Sequence, residues 1–235
     1  MSQAHVVQFQ DVTRVYRQGT VDVHALRGMN LTIDSGEFVA LWGPSGSGKT
    51  TALNLAGALD RPTAGSVSIE GAELASMNRR QLSALRRDRI GFVFQSYNLI
   101  PVLTAYENAE SILALQGVAV AERREIVMKL LADVGLEGMA HRRPHEMSGG
   151  QQQRVAIARA MASTPAVVLA DEPTANLDSA TSEKLLQIML QLNQERGVTF
   201  VFSTHDTRVM RYARRLVGLV DGQVDSDRVK ESGQD

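Results

Sequence analysis

Cysteine is absent from the 235 residues, which excludes disulfides, thiolate nucleophiles and thiolate metal centres. No run of about 18 apolar residues occurs either, so no segment is expected to span a bilayer. The N-terminus, MSQAHVVQFQD, lacks a basic stretch leading into an apolar core and does not read as a secretory leader. Charge of one sign is not in excess. The 25 basic against 26 acidic residues leave a formal charge of −1, which gives no general drive toward nucleic acid. What remains is 43% hydrophobic and 22% charged, the profile of a soluble globular chain. Its length suits one large α/β domain, or one domain with an inserted lobe. The expected location is the cytoplasm, and any membrane role needs a partner.

The segments HVVQFQDVTRVY and VHALRGMNLTI are β-rich and flank the turn-prone RQGT, which predicts an antiparallel pair. EFVALW reads as a strand, TTALNLAGAL as a helix, and GSVSIEG and IGFVFQ as short strands. From Tyr106 to Gly135 the pattern is helical, with AERREIVMKLLADVG amphipathic. GGQQQRVAIARAMAS predicts a helix stopped at Thr164-Pro165, and AVVLAD a fully buried strand. A helix over ATSEKLLQIMLQLNQERG, the strand TFVFST, a short helix near DTRVMRYA and the strand RLVGLV follow. Strands alternating with helices at both ends imply a parallel core sheet. The helical middle reads as an inserted lobe, and the polar stretch beyond Gly222 as a frayed tail.

GPSGSGKT, residues 43 to 50, directly follows the apolar FVALW. Gly43, Pro44, Ser45, Gly46, Ser47, Gly48, Lys49 and Thr50 fit the pattern Gly, four residues, Gly-Lys-Ser/Thr, between a strand and a helix. The glycines let successive N–H groups converge on phosphate oxygens, and the helix adds its free donors and positive dipole end. Lys49 is placed to reach the β and γ phosphates, and the Thr50 hydroxyl to ligate Mg²⁺. Asp171 and Glu172 end the buried strand AVVLAD, where a carboxylate pair is costly unless it serves a cation or a proton transfer. Asp171 suits the metal and Glu172 the general base. A second helix opens with Ser148, Gly149, Gly150 and Gln151, an N-cap followed by accessible backbone donors.

With SGGQ opening this helix, the chain resembles the nucleotide-binding subunit of an ATP-binding-cassette (ABC) transporter, from about Val6 to Val224. The resemblance implies a P-loop NTPase core with a mainly parallel sheet, an N-terminal antiparallel β subdomain and an inserted α-helical lobe. Residues 5–224 would form one ABC ATPase domain, the lobe would span about 96–163, and 225–235 would be a polar tail. Residues 43 to 50 match the family's Walker A loop, and Thr51 joins its nucleotide contacts. Tyr16 lies where the family stacks an aromatic on adenine. Gln95, ending FVFQ, matches the glutamine that senses the γ-phosphate side and Mg²⁺. Ser148 to Gln151 match the signature, Asp171 and Glu172 the Walker B pair, and Asp178, ending ANLD, the loop that crosses the dimer interface. His205 matches the switch histidine, which makes it catalytic with Glu172 and Lys49. Met147 stands where the family usually has leucine, and Ala175 where Ser or Gly is commoner.

The family arrangement implies a head-to-tail homodimer, with each ATP between the Walker A loop of one subunit and the signature of the other. Differential affinity for ATP then closes the dimer. VFQSYNLIPVLTAYENAE and LADEPTANLDSATS resemble the lipoprotein-releasing, macrolide-exporting and cell-division branch. An integral membrane permease, as a separate chain, is the expected partner, and the cytoplasmic face of the inner membrane the expected place. Two functions fit: export or extraction of a lipid-linked or amphipathic substrate, or force transmission to cell-envelope enzymes without transport. Nucleic acid is not an expected partner, since NRRQLSALRRDR reads as a solvated basic helix face. In SYNLIPVLTAY the family places a groove for a cytoplasmic helix of the permease, which nominates Tyr97 and Leu99 as partner contacts.

Overall fold

The computed structural model describes residues 5–230. In chain order the elements are β1 (His5–Gln18), β2 (Val21–Asp34), β3 (Phe38–Trp42), α1 (Lys49–Ala56), β4 (Ala64–Ile69), β5 (Ala72–Glu73), α2 (Arg79–Arg89) and β6 (Ile90–Phe94). They continue with α3 (Ala105–Leu115), α4 (Val120–Asp133), α5 (Gly149–Met161), β7 (Val167–Asp171), α6 (Ser179–Arg196), β8 (Thr199–Thr204), α7 (Thr207–Tyr212), β9 (Arg215–Val220) and β10 (Gln223–Val229).

The two β-rich N-terminal segments pair antiparallel as β1 and β2, and the first sheet runs β2-β1-β4-β5. The second runs β10-β9-β3-β8-β7-β6, parallel from β9 to β6. Its central strands β3, β7 and β8 read as apolar runs because both faces are covered. Alternation along β3 sends Phe38 and Ala40 into a core shared with Phe200, Phe202 and α3 to α6. Val39 and Leu41 enter the opposite core with α1 and the first sheet. Helix starts follow their caps: Asn78 with Gln81 at α2, Thr104 with Glu107 at α3, and Asp178 at α6. The helical middle divides into α3 and α4, both packed on α5.

The polar stretch expected to fray beyond Gly222 is instead strand β10, antiparallel on β9. Composition gave little signal because the strand is held mainly by backbone pairing and one ion pair, with Val224 packed against the core. Asp227 takes a two-pronged bond from Arg215, whose guanidinium also donates to Glu37 and the Thr32 carbonyl. With two carboxylates facing it, Arg215 is held above the usual guanidinium range despite its burial. The basic α2 is tied back in part: Arg89 pairs with Glu70, Arg87 with Asp88, and Arg86 bonds the Ala58 carbonyl. Among the described residues, no helix is long and apolar enough to cross a membrane.

Candidate nucleotide-binding site

Strand register decides which loops meet. Trp42 stands opposite Thr204, Ser203 opposite Asp171, and Asp171 opposite Phe94, so β3, β8, β7 and β6 end level. The loops carrying Gly43 to Gly48, His205, Glu172 and Gln95 therefore leave from one carboxyl edge, where open parallel sheets place their ligands.

The first loop turns straight into α1. Gly48 caps that helix with φ 101°, and a Cβ there would lie 2.6 Å from the Ala25 carbonyl oxygen and 2.8 Å from a Leu26 methyl. Only glycine fits. Lys49 is buried, and its ammonium donates to the carbonyls of Gly43 (2.8 Å) and Pro44 (2.9 Å); among the described residues it forms no ion pair. The Ser47 hydroxyl is also buried and has no hydrogen-bond partner. A cradle with an uncompensated cation, an orphaned hydroxyl and a helix N-terminus fits a polyphosphate.

Thr50 Oγ1 donates to Asp171 Oδ1 at 3.1 Å. Among the described residues no group of three or more His, Cys, Asp or Glu is assembled to hold a metal. One carboxylate and one hydroxyl nonetheless suit Mg²⁺, which keeps waters and takes substrate phosphates rather than a full protein cage. Glu172 sits at φ 45°, a left-handed conformation uncommon for a non-glycine residue, pinned by its N–H on the Ser203 carbonyl. That turn aims its carboxylate at β8: Oε2 accepts from Thr204 (3.2 Å) and Oε1 lies 2.7 Å from His205 Nδ1.

Together these groups border a cleft of about 640 Å³ lined by Tyr16, His24, Gly48, Lys49, Glu172 and His205, with Ser45, Gly46, Thr50 and Thr51 among its other walls. Gln95 is brought to the same edge but is not part of the lining; its carbonyl accepts from Asn176. Ser148, Gly149, Gly150 and Gln151 are not brought to the cleft at all. They start α5, where the Ser148 hydroxyl accepts from the Gln151 N–H and the Gln151 side chain accepts from the Ser148 N–H. A Cβ on Gly149 would meet Tyr97 Oη at 2.6 Å.

The two nominated partner contacts, Tyr97 and Leu99, are half-buried. Tyr97 is turned onto the start of α5, and Leu99 packs against the helical core. The adjacent groove, about 570 Å³, has Phe92, Phe94, Ile112 and Leu115 as apolar lining, with Arg86 and Arg159 at its walls. Arg159 donates to the carbonyls of Tyr97 and Asn98, both at positive φ, and burial pushes its guanidinium down.

Sequence reasoning missed several supports. Gln153 is fully buried and donates to the carbonyls of Phe94 (3.2 Å) and Pro173 (2.8 Å), tying α5 to the ends of β6 and β7. It lies three residues after buried Gly150 and four before buried Ile157, so the helical stripe could have flagged it. Asp206 accepts from Thr174 and caps α7. Burial works to raise its carboxyl, but hydrogen bonds from Arg208 and Thr174 hold it below the usual carboxylate range.

A family model described as ABC transporter matches residues 26–175. The chain belongs to that family. It is 46% identical to an ABC transporter ATP-binding protein, MJ0796, of Methanocaldococcus jannaschii, over 94% of this chain and 96% of that one. Two dimeric structures of MJ0796, one in a post-hydrolysis state with ADP and Pi, superpose with TM-scores of 0.89 and 0.88. Each is 45% identical and covers 96% of this chain and 99% of the other. A lipoprotein-releasing system ATP-binding protein, LolD, of Anaeromyxobacter dehalogenans is 45% identical over 94% of this chain and 93% of its own length. The macrolide export ATP-binding/permease protein MacB of Syntrophobacter fumaroxidans is 46% identical over 94% of this chain, which spans only 31% of that longer protein. This chain is thus an ATPase cassette of the ABC family, with a P-loop core, an antiparallel N-terminal sheet and a helical layer.

Proposed function

We propose that this cassette is the ATP-hydrolysing motor of a membrane transporter, and that ATP-driven closure of a homodimer powers export or extraction of a lipid-linked or amphipathic substrate. The observation that carries the reading is a separation: the phosphate cleft and the start of α5 are both built as anion sites, yet one chain does not bring them together. A second copy, related by a two-fold axis, supplies the missing half. The dimeric MJ0796 structures and the names of LolD and MacB support this reading.

The residues divide the work. Tyr16 stacks the base, residues 43 to 51 hold the phosphates, and Lys49 neutralises charge on the transferred group. Thr50, Asp171 and Gln95 hold Mg²⁺, which when bound screens charge on the β and γ oxygens. Glu172 takes the proton of the attacking water, and His205 orients its carboxylate and faces the γ-phosphate. Residues 148 to 151 of the partner copy close the other side. Residues 5–224 act as one domain with the lobe 96–163 inserted in it, and β10 extends its sheet. The partner is an integral membrane permease, docked in the groove beside α3, which places the cassette at the cytoplasmic face of the inner membrane.

The test is size-exclusion chromatography of Glu172→Gln with MgATP. The variant keeps the contacts but loses the base, so an ATP-dependent dimer should accumulate. A variant that binds ATP tightly yet stays monomeric would contradict the shared site.

A further inference from the structure

Tyr16 does not stand alone in the cleft wall. Its hydroxyl donates to Asp60 Oδ2 at 2.7 Å, and the Arg14 guanidinium sits over its ring, 4.3 Å from the centroid. Arg14 donates to the same carboxylate oxygen from Nε (2.9 Å) and pairs through Nη2 with Oδ1 (2.8 Å). Tyr16 lines the cleft while Arg14 lies outside its lining. The ring thus has one face covered by a cation and its hydroxyl anchored. Arg14 and Asp60 are each about three-quarters buried, so this is not an exposed pair of negligible worth.

Asp60 is in turn fixed to the phosphate grip. Its N–H, and that of Leu59, donate to the Asn54 carbonyl of α1, the helix that the phosphate loop opens. Three residues on, the Thr63 N–H donates to the Thr13 carbonyl, and the Thr63 hydroxyl accepts from the Val15 N–H. The stretch 60–63 is therefore stitched to α1 at one end and to β1 at the other. The two elements already share a buried core, and these bonds add a direct link between them at the cleft edge.

We infer that Arg14 and Asp60 are positioning residues that hold Tyr16 as a preformed base platform at a set distance from the phosphate loop. The inference rests on the nucleotide reading of the cleft. Because the Tyr16 hydroxyl donates to Asp60, the platform offers the base a π-face rather than a hydrogen-bonding edge. The cation on the covered face draws on the ring quadrupole and fixes the ring plane. Ordering is complete before the nucleotide arrives, so binding does not have to immobilise the side chain.

The experiment is calorimetric titration of wild-type protein, Tyr16→Phe, Arg14→Met and Asp60→Asn with ATP and with inorganic tripolyphosphate, both with magnesium. Releasing one aromatic side chain should weaken ATP roughly two- to tenfold in each variant. Tripolyphosphate, which has no base, should bind all four proteins equally. Equal weakening of both ligands would show a merely structural role and overturn the inference. Unchanged ATP affinity in folded Tyr16→Phe and Arg14→Met would also overturn it, whether or not Asp60→Asn folds. Wild-type protein that binds ATP no tighter than tripolyphosphate would remove the platform but spare the phosphate site. Wild-type protein that binds neither would sink the nucleotide reading and the platform with it.

Discussion

His205 Nδ1 stands 2.7 Å from Glu172 Oε1 across the ends of β8 and β7, although the histidine side chain is 75% exposed and the carboxylate 18%. The buried group is the one placed to accept a proton, and the exposed one is free to answer a ligand. Strain supports the division, since Glu172 is held at φ 45° by a backbone bond to β8.

Removing the base should therefore slow chemistry without weakening binding. We expect Glu172→Gln to lower ATP turnover roughly 10²–10⁴-fold, the usual contribution of a general base, with ATP affinity retained. His205→Ala should lower turnover too, by releasing the carboxylate from one of its partners. Phosphate-release assays beside nucleotide titrations separate the two effects. Near wild-type turnover in Glu172→Gln would assign the base elsewhere.

Gly48→Ala should abolish nucleotide binding while the rest of the chain stays folded. Its Cβ would collide with the Ala25 carbonyl, and φ 101° is unfavourable for any side chain. The backbone strain alone is about 1–3 kcal/mol, and relief requires the loop to open. Circular dichroism and ATP titration check both halves of the claim. Tight ATP binding by a folded Gly48→Ala would show that the loop geometry is not what holds the phosphates.

The groove beside α3 gives a third expectation. Leu115 is 68% exposed and lines the groove together with Ile112, Phe92 and Phe94. Leu115→Asp and Ile112→Asp should weaken co-purification with the membrane partner, or its stimulation of ATPase, and leave ATP affinity of the isolated cassette unchanged. Unaltered assembly would move the docking surface elsewhere.

How much of this was legible beforehand depends on where the information resides. The phosphate loop could be read because its chemistry is contiguous: three glycines, a lysine and a threonine fall within eight successive positions between a strand and a helix. The buried strands could be read because apolar runs report two covered faces. The helical stripe marks Gln153 as buried, but nothing in the sequence announces its partners, the backbone carbonyls of Phe94 and Pro173. Tyr97 and Leu99 are nominated by the family's groove, but the loop's own turn, with Tyr97 at φ 59° and Arg159 bonded to its carbonyl, is written in no side-chain pattern.

The tail shows the same limit. Apart from Val224 and Val229 the strand β10 is polar, yet Asp227 and the β9 ladder hold it. Truncation after Gly222 should cost about 2 kcal/mol or more, a fall of roughly 4–8 °C in Tm at this chain length. Asp227→Ala alone should cost only about 0.5–1 kcal/mol, since the pair is partly exposed and screened. Differential scanning calorimetry distinguishes a paired strand from a frayed tail, for which truncation would leave Tm unchanged.

The central claim is that a working site is shared between two copies, and mixing tests it most directly. Lys49→Ala removes the cation from the cleft, and Gly149→Gln obstructs the start of α5; neither should hydrolyse ATP alone. Co-refolded or exchanged in equal amounts, they should form heterodimers in which one intact cleft faces one intact α5 start. Random pairing then predicts about a quarter of wild-type turnover. Mixtures that stay inactive although heterodimers are demonstrated by affinity-tag pull-down would contradict the shared site.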